Sequence, residues 1–457
     1  MASGTRDLTR GPIWRALTAM SAPMSIGIFS VIAVGLADAY FLGQVSGAAL
    51  AAVGFIYPII TAVTSLSIGL SAGANAALSQ AVGAKEDNER TRRLGLHAIA
   101  LGLVLSVLTA LLLWASYPAL FGMLGAQGDV ATEVGKYIPL WALSFPFLVV
   151  MMVVNAVFRA HGDGATSAAI MVLAAFFGIA LNPVFIFGWG PLPEMGTGGA
   201  ALSTLVGRVV AVAVALWIAW RRGLLGLCSG YLTGLAASLR RIARVGAPAA
   251  LSNAINPAGM ALVTAAVATL GDAAVAGFGA ATRVQSIAVV PLLALSSGIG
   301  PVVGQNWGAE EPGRARTATL QAFGFAVVYG LSLGLVLLFL AEPIAGLLAA
   351  GDDDLAYAAQ YLRIVGLSLF GYGLIVIGNA AMNARDKALW SMSLSLGRIF
   401  AVYLPFAWLG VSTLGYGGIL AAAVAANLAG AAGAVYSAFR TDLLKRDTFS
   451  RAVPAAG

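Results

Sequence analysis

The chain has 457 residues, of which 60% are hydrophobic and only 10% are charged, and its formal net charge is +7. A soluble protein carries about 25% charged residues, so this composition excludes a water-soluble fold and indicates an integral membrane protein. Spanning helices need ~20 mostly apolar residues. Twelve stretches satisfy this, and in chain order they are 16–43, 49–79, 95–118, 132–158, 166–188, 196–220, 244–270, 274–304, 316–341, 355–382, 388–410 and 415–439. They are too long and too uniformly apolar for barrel strands, which have ~10 residues of alternating polarity.

Basic residues fall in alternate gaps between these stretches. Arg92 and Arg93 follow the second stretch and Arg240 and Arg241 follow the sixth, whereas the intervening gaps hold acids such as those at 352–354. Cytoplasmic loops carry an excess of Lys and Arg, so this pattern predicts an inner-membrane protein with both termini in the cytoplasm. Membrane topology therefore explains the positive charge, and we predict no nucleic-acid partner.

The two halves of the sequence repeat each other. When the second half is laid over the first, Pro23 aligns with Pro248 and Asn155 aligns with Asn379. Further identities in nearly the same register are Gly54 with Gly279, Ser71 with Ser296, Gln80 with Gln305, Tyr137 with Tyr361, Ser144 with Ser368, and Pro183 with Pro405. Each half holds six spans, an even number, so both halves enter the membrane in the same orientation.

We therefore predict an all-α membrane fold of twelve transmembrane helices. They form two homologous six-helix lobes related by a pseudo-two-fold axis along the membrane normal, and such lobes work by rocking about a central cavity. We expect a monomer. The predicted divisions are an N-terminal lobe at 1–220, a cytoplasmic inter-lobe loop at 221–243, and a C-terminal lobe with a short cytoplasmic tail at 244–457.

Asp38 is the one carboxylate clearly inside a predicted span. It lies about two thirds along the first apolar stretch, and the repeat aligns it with Val263. A charge at a helix centre costs ~2.5–3.5 kcal/mol on insertion scales, which favours a functional reason for its presence. Removal from water disfavours the ionised carboxylate, so such a group can take up and release a proton. A structural ion pair with Arg208, Arg283 or Arg398 is the alternative.

Asn182 and Thr204 are two further polar residues that the repeat leaves unmatched, because they align near Leu404 and Ala423. Their oxygens would suit a hard cation beside Asp38. They could equally be interhelical hydrogen bonders.

No signature of a soluble enzyme occurs in the sequence. It lacks a Walker lysine motif, a Cys and His metal cluster and a nucleophile elbow. We therefore predict no enzyme activity and no cofactor beyond a proton or sodium ion that would drive transport.

Several longer segments resemble a known family. They are ADAYFLGQVSGAALAAVG at 37–54, VNAVFRAHGDGATSAAIMV at 154–172, LNPVFIFGWG at 181–190 and GTGGAALSTLVGR at 196–208. With the twelve spans, they make residues 16–440 resemble the multidrug and toxic compound extrusion (MATE) family, and within it the DinF-like branch. The family exports organic cations in exchange for sodium ions or protons.

The resemblance implies roles for individual residues. Asp38 matches the coupling aspartate of the first helix, Pro23 the proline at which that helix bends, and Asn182 and Thr204 polar residues of the cation site. Relatives of this type often carry a second acid one turn beyond the asparagine, where this chain has the apolar residues 184–186. The expected coupling ion is therefore a proton rather than sodium.

We accordingly expect a cation-coupled antiporter that exports organic cations or drugs within the lipid bilayer. Tyr40, Arg208, Arg283 and Arg398 are possible polar residues of its cavity. One alternative is a flippase for a lipid-linked anionic precursor, for which the three arginines would supply positive charge. A membrane scaffold or receptor is another, which the duplication disfavours.

Overall fold

Helices account for nearly all of the described chain. The computed structural model describes residues 6–189, 193–226, 228, 230–348, 351–445 and 448. The tail that the sequence places in the cytoplasm therefore lies outside the described residues beyond Lys445, apart from Thr448. The helices are α1 (Ile13–Val45), α2 (Gly47–Gly83), α3 (Asn88–Met123), α4 (Gly128–Ala160), α5 (Gly164–Ile186), α6 (Thr197–Arg221), α7 (Leu235–Ala268), α8 (Asp272–Ala288), α9 (Val290–Gly308), α10 (Pro312–Ala345), α11 (Asp352–Gly366), α12 (Leu369–Ala384), α13 (Ala388–Leu396), a π-helix (Gly397–Tyr403), α14 (Leu404–Leu414) and α15 (Tyr416–Arg440).

Twelve membrane spans result from these helices. Ten helices are long and apolar enough to cross a membrane on their own, where Ala388–Leu414 counts as one helix. Two bent pairs of helices, α8 with α9 and α11 with α12, each supply one further span. Along several spans large apolar side chains are exposed, such as Leu108 and Leu112 on α3, as expected of helices that face lipid. The predicted all-α fold with twelve spans is thereby confirmed.

Two spans that the sequence predicts as single helices are bent. The α8–α9 pair bends by 45° and the α11–α12 pair by 61°. Pro291 lies in the first turn of α9, where its missing N–H and its ring interrupt a continuing helix. At the second bend the Ser368 hydroxyl donates to the carbonyl of Val365 at 2.8 Å, a side-chain bond that competes with the helical ladder.

The chain forms two compact units that differ from the predicted lobes. The first contains Pro23–Ala250 and the described residues up to Asp7, and the second contains Leu8–Ala22 and the described residues from Leu251 onward. Residues 8–22 thus belong with the second half, and the predicted inter-lobe loop and the start of α7 belong with the first. The reason is that α1 and α7 each pass from one unit to the other without a break in the helix.

Local contacts explain why residues 8–22 belong to the second unit. The N–H of Leu8 donates to the Gln305 side chain at 2.9 Å, and the amide of Asn306 donates to the Leu8 carbonyl at 3.1 Å. Further along α1, Ser21 packs so closely against Gly298 that a Cβ there would collide with its hydroxyl.

A pair of equivalent hydrogen bonds supports the duplication within the two units. In the first unit the Ser71 hydroxyl donates to the carbonyl of Met152 at 2.9 Å, and in the second the Ser296 hydroxyl donates to the carbonyl of Val376 at 2.9 Å. The sequence repeat aligns the two serines with each other, and it aligns the two acceptors as well. The repeat therefore extends from sequence to individual contacts between helices.

Glycines bring the backbones of neighbouring helices together. A Cβ on Gly207 of α6 would lie 2.5 Å from the Ala174 carbonyl oxygen and 3.1 Å from the Gly178 nitrogen of α5. Small residues at helix contacts serve this purpose in membranes, where no hydrophobic force drives helices together.

We expect Gly207→Ala to destabilise the protein by about 1–3 kcal/mol, the usual cost of overpacking. The matched control is Gly54→Ala, because Gly54 is an exposed helical glycine with no atom within 4 Å of an added Cβ. In that variant the helix should be unchanged or stabilised by up to about 1 kcal/mol. Thermal unfolding of both variants in detergent measures the effect, and equal melting temperatures would contradict the close approach of α5 and α6.

Candidate functional site

A chain of hydrogen bonds links Asp38 on α1 to helices α5 and α6. The Asn182 side-chain amide of α5 donates to Oδ1 of Asp38 at 2.6 Å. The hydroxyl of Ser203, on α6, donates in turn to the Asn182 side-chain oxygen. Asn182 and Ser203 are both fully buried, whereas Asp38 is half-buried. The sequence prediction that Asn182 lies beside Asp38 therefore agrees with the geometry.

Small residues position the three helices around this carboxylate. Gly178 of α5 lies opposite Val34, one turn before Asp38, and Gly27 of α1 lies opposite Ala168 of α5. Gly207 of α6 has no side chain, so the backbones of α6 and α5 lie close together there. Close backbone approach is what allows the short side chains of Asp, Asn and Ser to reach one another.

Thr204 does not supply the hydroxyl that bonds Asn182. Its neighbour Ser203 does, and the sequence analysis missed this residue. A signal for it was present, because the repeat aligns Ser203 with Ala422, which leaves the serine as unmatched as Thr204. Successive residues of a helix point in directions about 100° apart, so only one of the two can face Asn182.

Arg208 lies near the carboxylate without pairing with it. Its guanidinium donates to the Ser144 hydroxyl at 2.5 Å and lies over the Trp141 ring, 5.5 Å from the ring centroid. Asp38 is close enough for an electrostatic interaction, but no ion pair within 4 Å forms between these two described residues. Arg208 is therefore a neighbour of the carboxylate and not its ion-pair partner.

Pro23 and Tyr40 also lie on α1, at some distance from this hydrogen-bond chain. The helix stays continuous through Pro23, and the division between the two compact units falls at this residue. Tyr40 is 67% exposed, and its ring has an edge contact with Phe41 at 5.4 Å. Tyr40 is therefore not part of the hydrogen-bond chain.

The remaining predicted arginines lie in the second unit. Arg398 of the π-helix donates to the side-chain oxygens of Asn256 at 3.2 Å and Asn427 at 3.4 Å. Arg283 is an exposed residue of α8. The described contacts do not join Arg283 to Arg398, and the place of either residue in a transport cavity stays a prediction.

A sequence profile identifies the family of the chain. The MatE profile matches residues 23–184 and again 248–409. The two matches begin at Pro23 and Pro248, the same residues that align in the internal repeat. The chain belongs to the MatE family of membrane transporters, as the sequence resemblance predicted.

Individual relatives cover almost the whole chain. It is 33% identical over 423 residues to a protein of Shewanella oneidensis named FAD transporter, covering 92% of this chain and 93% of that one. It is 25% identical to a Thermotoga maritima protein named probable multidrug resistance protein NorM, covering 82% and 80% of the two chains. Among solved structures, a variant of the Vibrio cholerae MATE transporter VcmN matches with a TM-score of 0.89 and 28% identity, covering 95% of this chain and 98% of that one.

We expect Ser203→Ala to destabilise the protein by about 1–3 kcal/mol, because it leaves the buried side-chain oxygen of Asn182 without its donor. Thr204→Ala removes the neighbouring hydroxyl and serves as the matched control, for which we expect a smaller loss of stability. Thermal unfolding of both variants in detergent makes the comparison. An equal or larger loss in Thr204→Ala would contradict the hydrogen-bond chain described above.

Proposed function

We propose that the protein is an antiporter that exports organic solutes in exchange for a cation bound at Asp38. The observation that carries this proposal is a carboxylate inside the first span, held by a buried amide from another helix. Ionisable residues within membrane spans mark ion pathways and proton relays. Membership of a transporter family is consistent with this role.

The coupling ion that these residues favour is a proton. Asn182 presents its N–H to Asp38, while its oxygen accepts the Ser203 hydroxyl. The amide therefore anchors the carboxylate instead of adding an oxygen ligand for a metal cation, and residues 184–186 supply no second acid. Hard cations prefer several oxygen ligands, whereas a proton needs only the free oxygen of one carboxylate.

In the proposed cycle, proton binding neutralises Asp38 and removes its attraction to Arg208. The first helix then bends near Pro23, where a proline weakens the helical ladder, and the cargo leaves outward. Release of the proton inward restores the charged state. Rocking of the two lobes supplies the alternating access.

The first candidate cargo is an organic cation or drug. Relatives in Thermotoga maritima and Bacillus subtilis are named probable multidrug resistance proteins. The basic loops between alternate spans support an inner-membrane location with both termini in the cytoplasm, and the protein would act as a monomer.

A second candidate cargo is an organic anion. The observation that favours it is the relative named FAD transporter, which is 33% identical over 423 residues. FAD is an anionic dinucleotide, and a lipid-linked pyrophosphate shares its phosphate chemistry. For either anion the transport cycle at Asp38 would be the same.

We expect Asp38→Asn to abolish dye efflux driven by a pH gradient in reconstituted vesicles, because an amide cannot exchange a proton. The matched control is Glu342→Gln, which removes an exposed carboxylate that pairs with Arg363 at 2.7 Å, and it should keep normal efflux. Proton and sodium gradients are imposed separately. Undiminished efflux by a normally folded Asp38→Asn variant would refute the coupling role, and efflux driven only by sodium would refute the choice of ion.

A further inference from the structure

The second unit holds a polar cluster of buried and half-buried residues around Arg398 that the coupling mechanism does not use. We call Asn256, Tyr361, Tyr372, Arg398, Tyr403 and Asn427 the Arg398 cluster. Arg398 and Tyr403 both lie on the π-helix Gly397–Tyr403. π-Helical turns are rare and occur frequently at functional sites. The equivalent helix of the first unit, α5, is α-helical over its whole length, and the repeat aligns its Phe176 with Arg398.

The positive charge of Arg398 has no matching carboxylate. In the first unit Asp38 lies within electrostatic reach of Arg208, but the repeat places Val263 at the equivalent position in the second unit. Within the described part of the second unit, Arg398 forms no ion pair, whereas Arg363 and Arg385 each have an acidic partner. A buried charge without a partner is costly, so an anionic ligand would stabilise it.

The hydrogen-bonding capacity of Arg398 is only partly used. Two of its nitrogens donate to the neutral side-chain oxygens of Asn256 and Asn427. Its Nε is buried and has no hydrogen-bond partner in the described part of the chain. A guanidinium offers five N–H donors in a planar fork that suits phosphate and carboxylate groups. The free donors point to a ligand that carries such a group.

Tyrosine side chains lie near this guanidinium. The ring centroid of Tyr372 lies 5.5 Å from the guanidinium carbon, and Tyr361 and Tyr403 are close enough to interact with it electrostatically. Tyr416 is also buried in this unit, and its hydroxyl has no hydrogen-bond partner among the described residues. Flat rings and a free phenol hydroxyl are suited to an aromatic ligand with polar edges.

Neighbouring contacts fix the cluster in place. Asn427 donates to the Ser368 hydroxyl at 2.9 Å, so its side-chain oxygen is directed to Arg398. The Cβ that Gly430 lacks would lie 3.3 Å from the Arg398 side chain. The arginine is therefore held in one orientation before any ligand arrives, which reduces the entropy lost on binding.

We propose that the Arg398 cluster binds the phosphate group of an aromatic cargo of the nucleotide class. Arg398 holds the phosphate, and the tyrosines pack against the aromatic ring. This inference rests on the proposed transport function and specifies the cargo of the second candidate. The proposed ligand is a soluble nucleotide. A lipid headgroup with a phosphate group would present the same chemistry to Arg398.

The test uses a series of flavins with the purified full-length protein. Riboflavin has no phosphate, FMN has one and FAD has two, and quenching of flavin fluorescence reports binding. For the wild-type protein we expect FAD to bind at least about tenfold tighter than riboflavin, since charge-assisted hydrogen bonds contribute about that factor. Equal affinity for the three flavins, or no binding of FAD, would overturn the proposal without any variant.

Substitutions then test the arginine itself. Arg398→Gln should weaken FAD binding at least about tenfold and leave riboflavin binding unchanged, and Arg398→Lys should lose part of the affinity because it keeps only the charge. The matched control is Arg363→Gln, which changes an exposed arginine of the same unit and should bind normally. Unchanged FAD binding by a folded Arg398→Gln variant would refute the site.

Two further measurements separate this inference from the proposed function. Transport of dyes without binding of FAD would remove the inference alone. If FAD binding depends on Arg398 but no solute is transported under any gradient, the proposed function is refuted and the inference stands. Binding of a polyprenyl pyrophosphate in nanodiscs that depends on Arg398, with none of FAD, would overturn the nucleotide in favour of a lipid headgroup.

Discussion

The hydrogen bond from Asn182 to Asp38 is the contact on which the candidate site depends, because a carboxylate in a membrane span must have a partner in place of water. That bond requires Asn182 to present its N–H, and the Ser203 hydroxyl fixes this orientation by occupying the amide oxygen. Ser203 can reach Asn182 because α5 and α6 touch backbone to backbone at Gly207. The hydrogen bonding of Asp38 thus depends on the glycine at position 207, which lies about one turn from Ser203 on α6.

Equivalent hydrogen bonds in the two units are donated by different side chains. The Arg208 guanidinium donates to the Ser144 hydroxyl, and in the second unit the Asn427 amide donates to the Ser368 hydroxyl. Both pairs join equivalent helices, since the repeat aligns the two donors with each other and the two serines with each other. The contact between these helices is therefore common to both units, although the arginine lies on α6 in the first unit and on the π-helix in the second. In the first unit the arginine Arg208 lies over the Trp141 ring, and in the second unit Arg398 lies over the Tyr372 ring and donates to two asparagines.

Hydropathy and charge predicted the twelve spans and singled out Asp38 and Asn182, because a charge or an amide is conspicuous in an apolar stretch. Ser203 was missed for the opposite reason, since hydroxyl residues are common in spans rich in small residues. The bends at Pro291 and Ser368 and the π-helix around Arg398 were not predicted either. Hydropathy is insensitive to backbone geometry, and membrane helices tolerate proline in many positions. The partner of a side chain, as opposed to its presence in a span, follows only from packing in three dimensions.

The passage of α1 from one unit to the other affects how the chain can be made. Residues 8–22 are synthesised well before the second half of the chain, yet the hydrogen bonds that hold Leu8 come from Gln305 and Asn306. The second unit therefore cannot be completed until α9, in the later half of the chain, has been synthesised and inserted. Contacts so distant in sequence slow folding, because a long loop must close before they form. The start of α1 therefore remains without these partners until α9 is made, and the second unit is assembled from two parts of the chain that are far apart in sequence.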